Sequence, residues 1–149
     1  MNNNETIRIL LVDDDEDDRA DFIAVFAGLR MNTFVETLKD GVALMNYLMN
    51  DAAKLPHILF LDLNMPKKSG LECLIAIKKI DRLKDLTIAI YSTSSSQKDI
   101  EDTFVNGANI YIRKPTHPTM LKKILMHVLA INWQYHTSGL NKDNFLLQL

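Results

Sequence analysis

Five runs of apolar residues punctuate the chain, and between them the apolar positions recur at helical spacing. The runs are Ile7–Val12, Thr33–Glu36, His57–Leu61, Thr87–Tyr91 and Asn109–Ile112. All but the second are nearly continuous in apolar residues, the pattern of strands covered on both faces. The intervening segments, Glu16–Leu29, Gly41–Asn50, Gly70–Ile80, Ser96–Asn106 and Pro118–Ile131, predict helices. In the third of these, Leu71, Leu74 and Ile75 line one side and Lys79 falls on the polar side. Pro118 suits a first helical turn, where its missing N–H costs nothing. Five βα units of this length predict an α/β fold: a parallel sheet with helices on both faces and right-handed crossovers.

Such sheets bind ligands at the carboxyl ends of their strands, near a topological switch point. The residues at those ends are therefore the informative ones. Asp13 and Asp14 follow the first strand, Asp62 ends the third, Ser92 follows the fourth and Lys114 follows the fifth. The second strand delivers no such group. Each residue alone has a bland explanation as a turn, cap or solvated side chain. Their convergence on one edge does not.

Three carboxylates brought together are unfavourable unless a cation sits among them. Lys114 neutralises one charge, and a hard divalent metal bound through oxygen accounts for the rest. Mg²⁺ meets that description, being held by one or two carboxylates with water and phosphate oxygens. The expected ligands are Asp14 and Asp62 directly, Asp13 mostly through water, and the backbone carbonyl of Asn64; sequence does not by itself separate Asp13 from Asp14. Asp62 is then placed to attack a phosphoryl group and become an aspartyl phosphate. Metal and lysine would spread the charge of the transferring group. Ser92 could donate its hydroxyl to a phosphoryl oxygen, and Tyr111 could change its packing as that loop moves. Glu16, Asp17 and Asp18 read as an acidic first turn favoured by the helix dipole. Ser95 or Ser96 reads as a helix cap.

Composition narrows the class without changing the picture. The chain has 149 residues, a net charge of −2 and a pI near 6.0, so it offers no basic footprint for nucleic acid. No apolar stretch approaches the roughly 20 residues of a membrane span. The polar start, Met1-Asn2-Asn3-Asn4-Glu5, does not read as a signal peptide. A single cysteine, Cys73, is expected to be a buried thiol in a reducing cytoplasm. His117, His127 and His136 are scattered and suggest no metal site.

Taken together, Ile9-Leu10-Leu11-Val12-Asp13-Asp14-Asp15, Leu61-Asp62-Leu63-Asn64-Met65-Pro66 with Ser69-Gly70-Leu71, Ile90-Tyr91-Ser92-Thr93, Gly107-Ala108 and Tyr111-Ile112-Arg113-Lys114-Pro115 resemble the receiver domain of bacterial response regulators. The separations of 48 positions from Asp14 to Asp62, 30 on to Ser92 and 22 on to Lys114 match that family's pattern. The resemblance implies a doubly wound, flavodoxin-like (βα)₅ three-layer sandwich with a parallel five-stranded sheet of strand order 2-1-3-4-5. It implies Mg²⁺-dependent phosphorylation of Asp62 by a sensor histidine kinase or histidine phosphotransfer protein, in the cytoplasm and with no enzymatic role beyond the domain's own phosphotransfer and dephosphorylation. The Lys114–Pro115 bond is cis in many such domains, which makes Pro115 a candidate for that isomer. Thr93 stands where the family often has Ala or Gly, and Asn64 and Ser94 occupy positions resembling its tuning sites for phosphate lifetime.

The expected organisation is a receiver domain over residues 1–131 and a tail over 132–149 with no output domain. The signal would then leave by protein–protein contact through the fourth helix, fifth strand and fifth helix, with no nucleic acid or membrane involved and homodimer formation left open. The apolar run Asn144-Phe145-Leu146-Leu147-Gln148-Leu149 has three readings: packing back on the domain, docking a partner, or disorder. Two other functions compete. A phosphatase resembling the haloacid dehalogenase superfamily would place its nucleophile on an early strand and a second Asp two residues on, where this chain has Asn64. A phosphate-independent scaffold would not need the complete acidic site.

Overall fold

A computed structural model describes residues 5–131 and 145–147. Its elements run β1 (Ile7–Val12), α1 (Glu16–Ala27), β2 (Thr33–Leu38), α2 (Gly41–Met49), β3 (Ile58–Leu61), α3 (Gly70–Lys78), β4 (Thr87–Ser92), α4 (Gln97–Val105), β5 (Ile110–Arg113), α5 (Pro118–Ala130) and β6 (Leu146–Leu147). The strands form one parallel sheet in the order β2-β1-β3-β4-β5-β6. This is the flavodoxin-like α/β fold.

The nearly continuous apolar strands are explained by two separate cores. Successive side chains of a strand point to opposite faces. Ile9 and Leu11 of β1, Phe60 of β3 and Tyr91 of β4 pack with Phe22 and Phe26 of α1 and Leu121, Ile124 and Leu125 of α5. Their neighbours Leu10, Val12, Leu59, Leu61 and Ile90 pack on the other face with Leu44, Leu74, Ile77 and Ile100 from α2, α3 and α4. Cys73 is buried in that second core, its Sγ 3.7 Å from the Gly41 carbonyl, as a structural thiol would be. β2, at the edge, is only partly buried along its length, which is why its sequence is the least apolar.

Helix starts are set by local polar chemistry. The side chains of Asp15, Asp40, Ser69 and Ser96 each accept an N–H from the first turn of α1, α2, α3 and α4 respectively. Of the two serines open to that role before α4, Ser96 takes it. Pro118 occupies the first turn of α5 as its geometry predicts.

The five-stranded expectation needs one correction. Leu146 and Leu147 add a sixth strand, pairing in parallel with Tyr111 and Ile112. Phe145 is fully buried. Residues 145–147 thus pack against the domain rather than standing outside it, and the boundary drawn at residue 131 separates segments that share one sheet. The rest of the 132–149 segment, with His136, lies outside the described residues. Two residues are too few to show a strand period, and only the open edge of β5 identifies them as one.

Candidate functional site

β1 and β3 are adjacent, with Val12 in register with Leu61. The chain leaves β1 for β2 on one side and returns to β3 on the other, so the switch point lies between them. Asp13 and Asp62 are the next residues along, and the Asp62 N–H donates to the Val12 carbonyl at 3.0 Å. Close approach of α3 holds this end of β3 in place. The Gly70 N–H donates to the Leu63 carbonyl at 2.9 Å, and a Cβ at residue 70 would lie 2.1 Å from the Asp62 carbonyl oxygen and 2.8 Å from Leu63 Cα. Both obstructions are backbone. Gly70→Ala is therefore expected to lower stability by about 1–3 kcal/mol, the usual cost of overpacking. Urea unfolding measures it, and an unchanged midpoint would show that α3 can retreat freely.

Oxygen atoms of Asp13, Asp14 and Asp62 lie within 4.8 Å of one another. Asp13 is fully buried, Asp62 is 5% exposed and Asp14 is exposed. Lys114 reaches in from the end of β5, with Nζ 2.8 Å from Asp13 Oδ2 and 3.9 Å from Asp62 Oδ1. Nζ also lies 5.2 Å from the centre of the Tyr91 ring. Burial would depress the Lys114 ammonium, but its bonds to Asp13 and Asp18 and the charge of Asp62 hold it above its ordinary value. It stays charged.

Asp18 is the residue that sequence reasoning missed. Taken there as a first-turn acid of α1, it also accepts a 2.8 Å bond from Lys114 Nζ. The signal was present only as geometry, since one turn of helix carries residue 18 back over the sheet edge. Arg19, beside it, donates through Nη1 to the Asp13 backbone carbonyl at 2.8 Å.

Three carboxylates, those of Asp13, Asp18 and Asp62, thus lie about one ammonium, with Asp14 close to Asp13 and Asp62, and the shortfall of positive charge appears in the protonation of Asp62 and Asp13. Burial raises the Asp62 pKa to about 7, Lys114 opposes, and the charges of Asp13 and Asp14 raise it further. Asp13 is raised as well, chiefly by burial. A site so short of positive charge, built from hard oxygen donors, suits a divalent cation.

The same shift sets a pH dependence. Asp62 holds its proton more tightly in the folded chain than in the unfolded one, whose value is near 3.8. Stability linked to it is full below that value and is lost as pH rises through about 7. In EDTA the folded protein should therefore lose about 2–3 kcal/mol between pH 5 and pH 7. Excess Mg²⁺ should restore most of it. Thermal melts across that range test this, and a melting temperature that rises with pH in EDTA would contradict it.

Ser92 ends β4 fully buried, and its Oγ accepts the Ser94 N–H at 3.1 Å. Tyr111 is buried on β5 and donates its hydroxyl to the Ser94 carbonyl at 2.9 Å. Asn64 is exposed just beyond Asp62, and Thr93 is exposed beside Ser92. The strand ends thus bring Asp13, Asp14, Asp62 and Lys114 into one cluster, while Ser92 and Tyr111 join through the loop after β4. Pro115 departs from expectation: no peptide bond among the described residues is cis, so Lys114–Pro115 is trans. Trans is favoured for X-Pro by about 0.5–1 kcal/mol, and a Lys-Pro pair by itself carries nothing that reverses this. Among the described residues no helix is long and apolar enough to cross a membrane.

The chain is similar to known proteins over most of its length. The profile of the response regulator receiver domain matches residues 9–126. Response regulator Rcp1 of Synechocystis is 32% identical over 127 residues, covering 80% of this chain and 84% of its own. The probable methanogenesis regulatory protein FilR2 of Methanothrix harundinacea is 32% identical over 123 residues, covering 80% and 79%. The Mn²⁺-bound form of Rcp1 superimposes with a TM-score of 0.77 at 28% identity, over 84% of this chain and 93% of that one. The phosphorylated cyanobacterial phytochrome response regulator RcpA gives 0.78 at 29% identity, over 92% and 98%.

Proposed function

Because the chain belongs to the response regulator receiver domain family, and so serves two-component signalling as a phosphoacceptor, we propose that Asp62 is the residue that takes the phosphoryl group, from a phosphohistidine on a sensor kinase or phosphotransfer protein. The observation that carries this reading is the position of Asp62: nearly buried, at the switch point, among two other carboxylates and one lysine. Phosphorylated RcpA, at 29% identity, supports it.

In the proposed reaction an Asp62 carboxylate oxygen forms a bond to phosphorus as the N–P bond of the donor breaks. The histidine ring keeps the electron pair of that bond. Lys114 is close enough to follow the charge onto the new phosphoryl oxygens. Its bonds to Asp13 and Asp18 hold the ammonium beside the site beforehand, so little reorganisation is needed. Asp14, Asp62 and the Asn64 carbonyl are the proposed direct holders of Mg²⁺, with Asp13 acting mostly through water; its tie to Lys114 is consistent with that division. Bound there, Mg²⁺ would offset the charge of the phosphoryl oxygens. Ser92 is the proposed hydroxyl that turns to the phosphoryl group, and Tyr111 the side chain that registers the loop movement. The modified domain would act by binding another protein.

Incubation with acetyl phosphate and Mg²⁺ should add one phosphoryl group by intact mass. An unmodified mass, with beryllofluoride also failing to bind, would sink the reading.

A further inference from the structure

Phe145 is a large fully buried side chain contributed by a segment of three described residues. Its ring packs edge-on against Phe104 of α4, with centroids 5.2 Å apart, and lies 6.2 Å from Tyr111 of β5. Leu146 and Leu147 then continue the sheet along the β5 edge. Tyr111 is thereby held at both ends. Its ring backs Phe145, and its hydroxyl bonds the Ser94 carbonyl and lies within hydrogen-bonding reach of Ser92. Ser94 is itself fixed by its N–H on Ser92 Oγ and by its hydroxyl donating to Asp99 Oδ2 at 2.6 Å. An unbroken series of contacts runs from Ser92 through Ser94 and Tyr111 to Phe145.

We propose that the β5 edge and the cleft between α4 and β5 form a strand-acceptor site whose ligand is the chain's own segment 145–147, and that engagement of Ser92 by a phosphoryl group on Asp62 releases it. The proposal rests on the phosphoacceptor reading. A Ser92 hydroxyl that turns toward a phosphoryl oxygen gives up the Ser94 N–H and its place beside Tyr111. The loop carbonyl that anchors the Tyr111 hydroxyl moves with it, and Phe145 loses a fixed wall. A strand of two residues has few contacts, Phe145 in the cleft and the half-buried Leu146 and Leu147 on either face, so a modest change at Tyr111 is enough to shift it. Once vacated, the site is an open strand edge beside an aromatic-lined cleft. It takes a segment whose aromatic residue fills the cleft and whose next two aliphatic residues are extended and add in parallel to β5. Coupling is reciprocal: the factor by which engagement at Asp62 weakens docking of the segment is the factor by which release of the segment strengthens engagement at Asp62.

Amide hydrogen exchange on the full chain tests this, with ¹⁹F resonance reporting beryllofluoride bound in the presence of Mg²⁺. Bound beryllofluoride should speed exchange at residues 145–147 and at Ile112 by about tenfold, leaving β1 and β3 unchanged. Phe145→Ala should tighten beryllofluoride binding by a similar factor. Tyr111→Phe keeps the ring and loses the hydroxyl; without any ligand it should speed exchange at residues 145–147 by about 2- to 10-fold, the factor for one hydrogen bond. Unchanged or slowed exchange with beryllofluoride bound, or an unaltered affinity in Phe145→Ala, overturns the proposal. Absence of a bound ¹⁹F signal together with an unmodified mass after acetyl phosphate refutes the phosphoacceptor reading instead, and Tyr111→Phe then decides whether the segment is held through the tyrosine: unchanged exchange overturns that too. A dimer by light scattering that Phe145→Ala dissolves would seat the segment in a second copy and overturn the assignment to its own chain.

Discussion

Asp62→Asn is expected to abolish phosphoryl incorporation from acetyl phosphate while making the metal-free protein more stable at pH 8. The amide is nearly isosteric with the carboxylate but cannot form an acyl phosphate by the same attack, so intact mass should show no added phosphoryl group. The gain in stability follows from the charge imbalance. At pH 8 the wild-type chain keeps Asp62 ionised although its pKa has been pushed up to about 7, above the ordinary 3.8. Removing that charge should return up to about 4 kcal/mol in EDTA, less whatever hydrogen bonding the amide fails to make. With saturating Mg²⁺ the order should shrink or reverse, because the variant has lost a carboxylate from the cluster. Chemical denaturation in EDTA and in Mg²⁺ reads both effects. Full incorporation in the variant would move the phosphoacceptor elsewhere, and a variant less stable than wild type in EDTA would mean that Asp62 is adequately compensated.

Lys114→Met should also impair phosphorylation, but with the opposite effect on stability. Its ammonium is the one cation among the described residues that contacts the Asp13 and Asp62 carboxylates. Loss of a positioned charge that meets developing negative charge typically costs 10²- to 10³-fold in rate, and about that loss is expected with acetyl phosphate. Asp13, with no exposure at all, would be left buried without its partner. Breaking a buried pair from one side costs about 3–5 kcal/mol, and Asp13 can limit the loss by taking up a proton. The destabilisation should therefore be larger at pH 8 than at pH 5. Rates that fall less than tenfold would leave the proposed role of Lys114 without support.

The contrast between these two variants follows from how the site is built, and much of that was legible along the chain. Asp13, Asp14, Asp62 and Lys114 each stand within two residues of the end of an apolar run. A parallel α/β sheet carries such positions to one edge whatever the details of packing. The strands themselves were readable because both faces are buried, so almost every residue of β3 and β4 had to be apolar. Helix starts were marked by short polar side chains able to bond free N–H groups. Helix and strand limits shifted by only a residue or two, as with α1 ending at Ala27 rather than Leu29.

Other features depend on contacts between parts of the chain far apart in sequence. Asp18 looks like any first-turn acid, and its bond to Lys114 spans 96 positions. The sixth strand exists because β5 presents an open edge and α4 a cleft for Phe145, neither of which is encoded near residue 145. Sequence alone determined the alternation of strands and helices, the two-sided burial of the sheet and the set of chemical groups at its edge, because these follow from periodicity and chain direction. Only the tertiary structure decided which acid shares the lysine, how strongly burial raises Asp62 and what lies against Tyr111, because those depend on distances and on exclusion of water that no local pattern records.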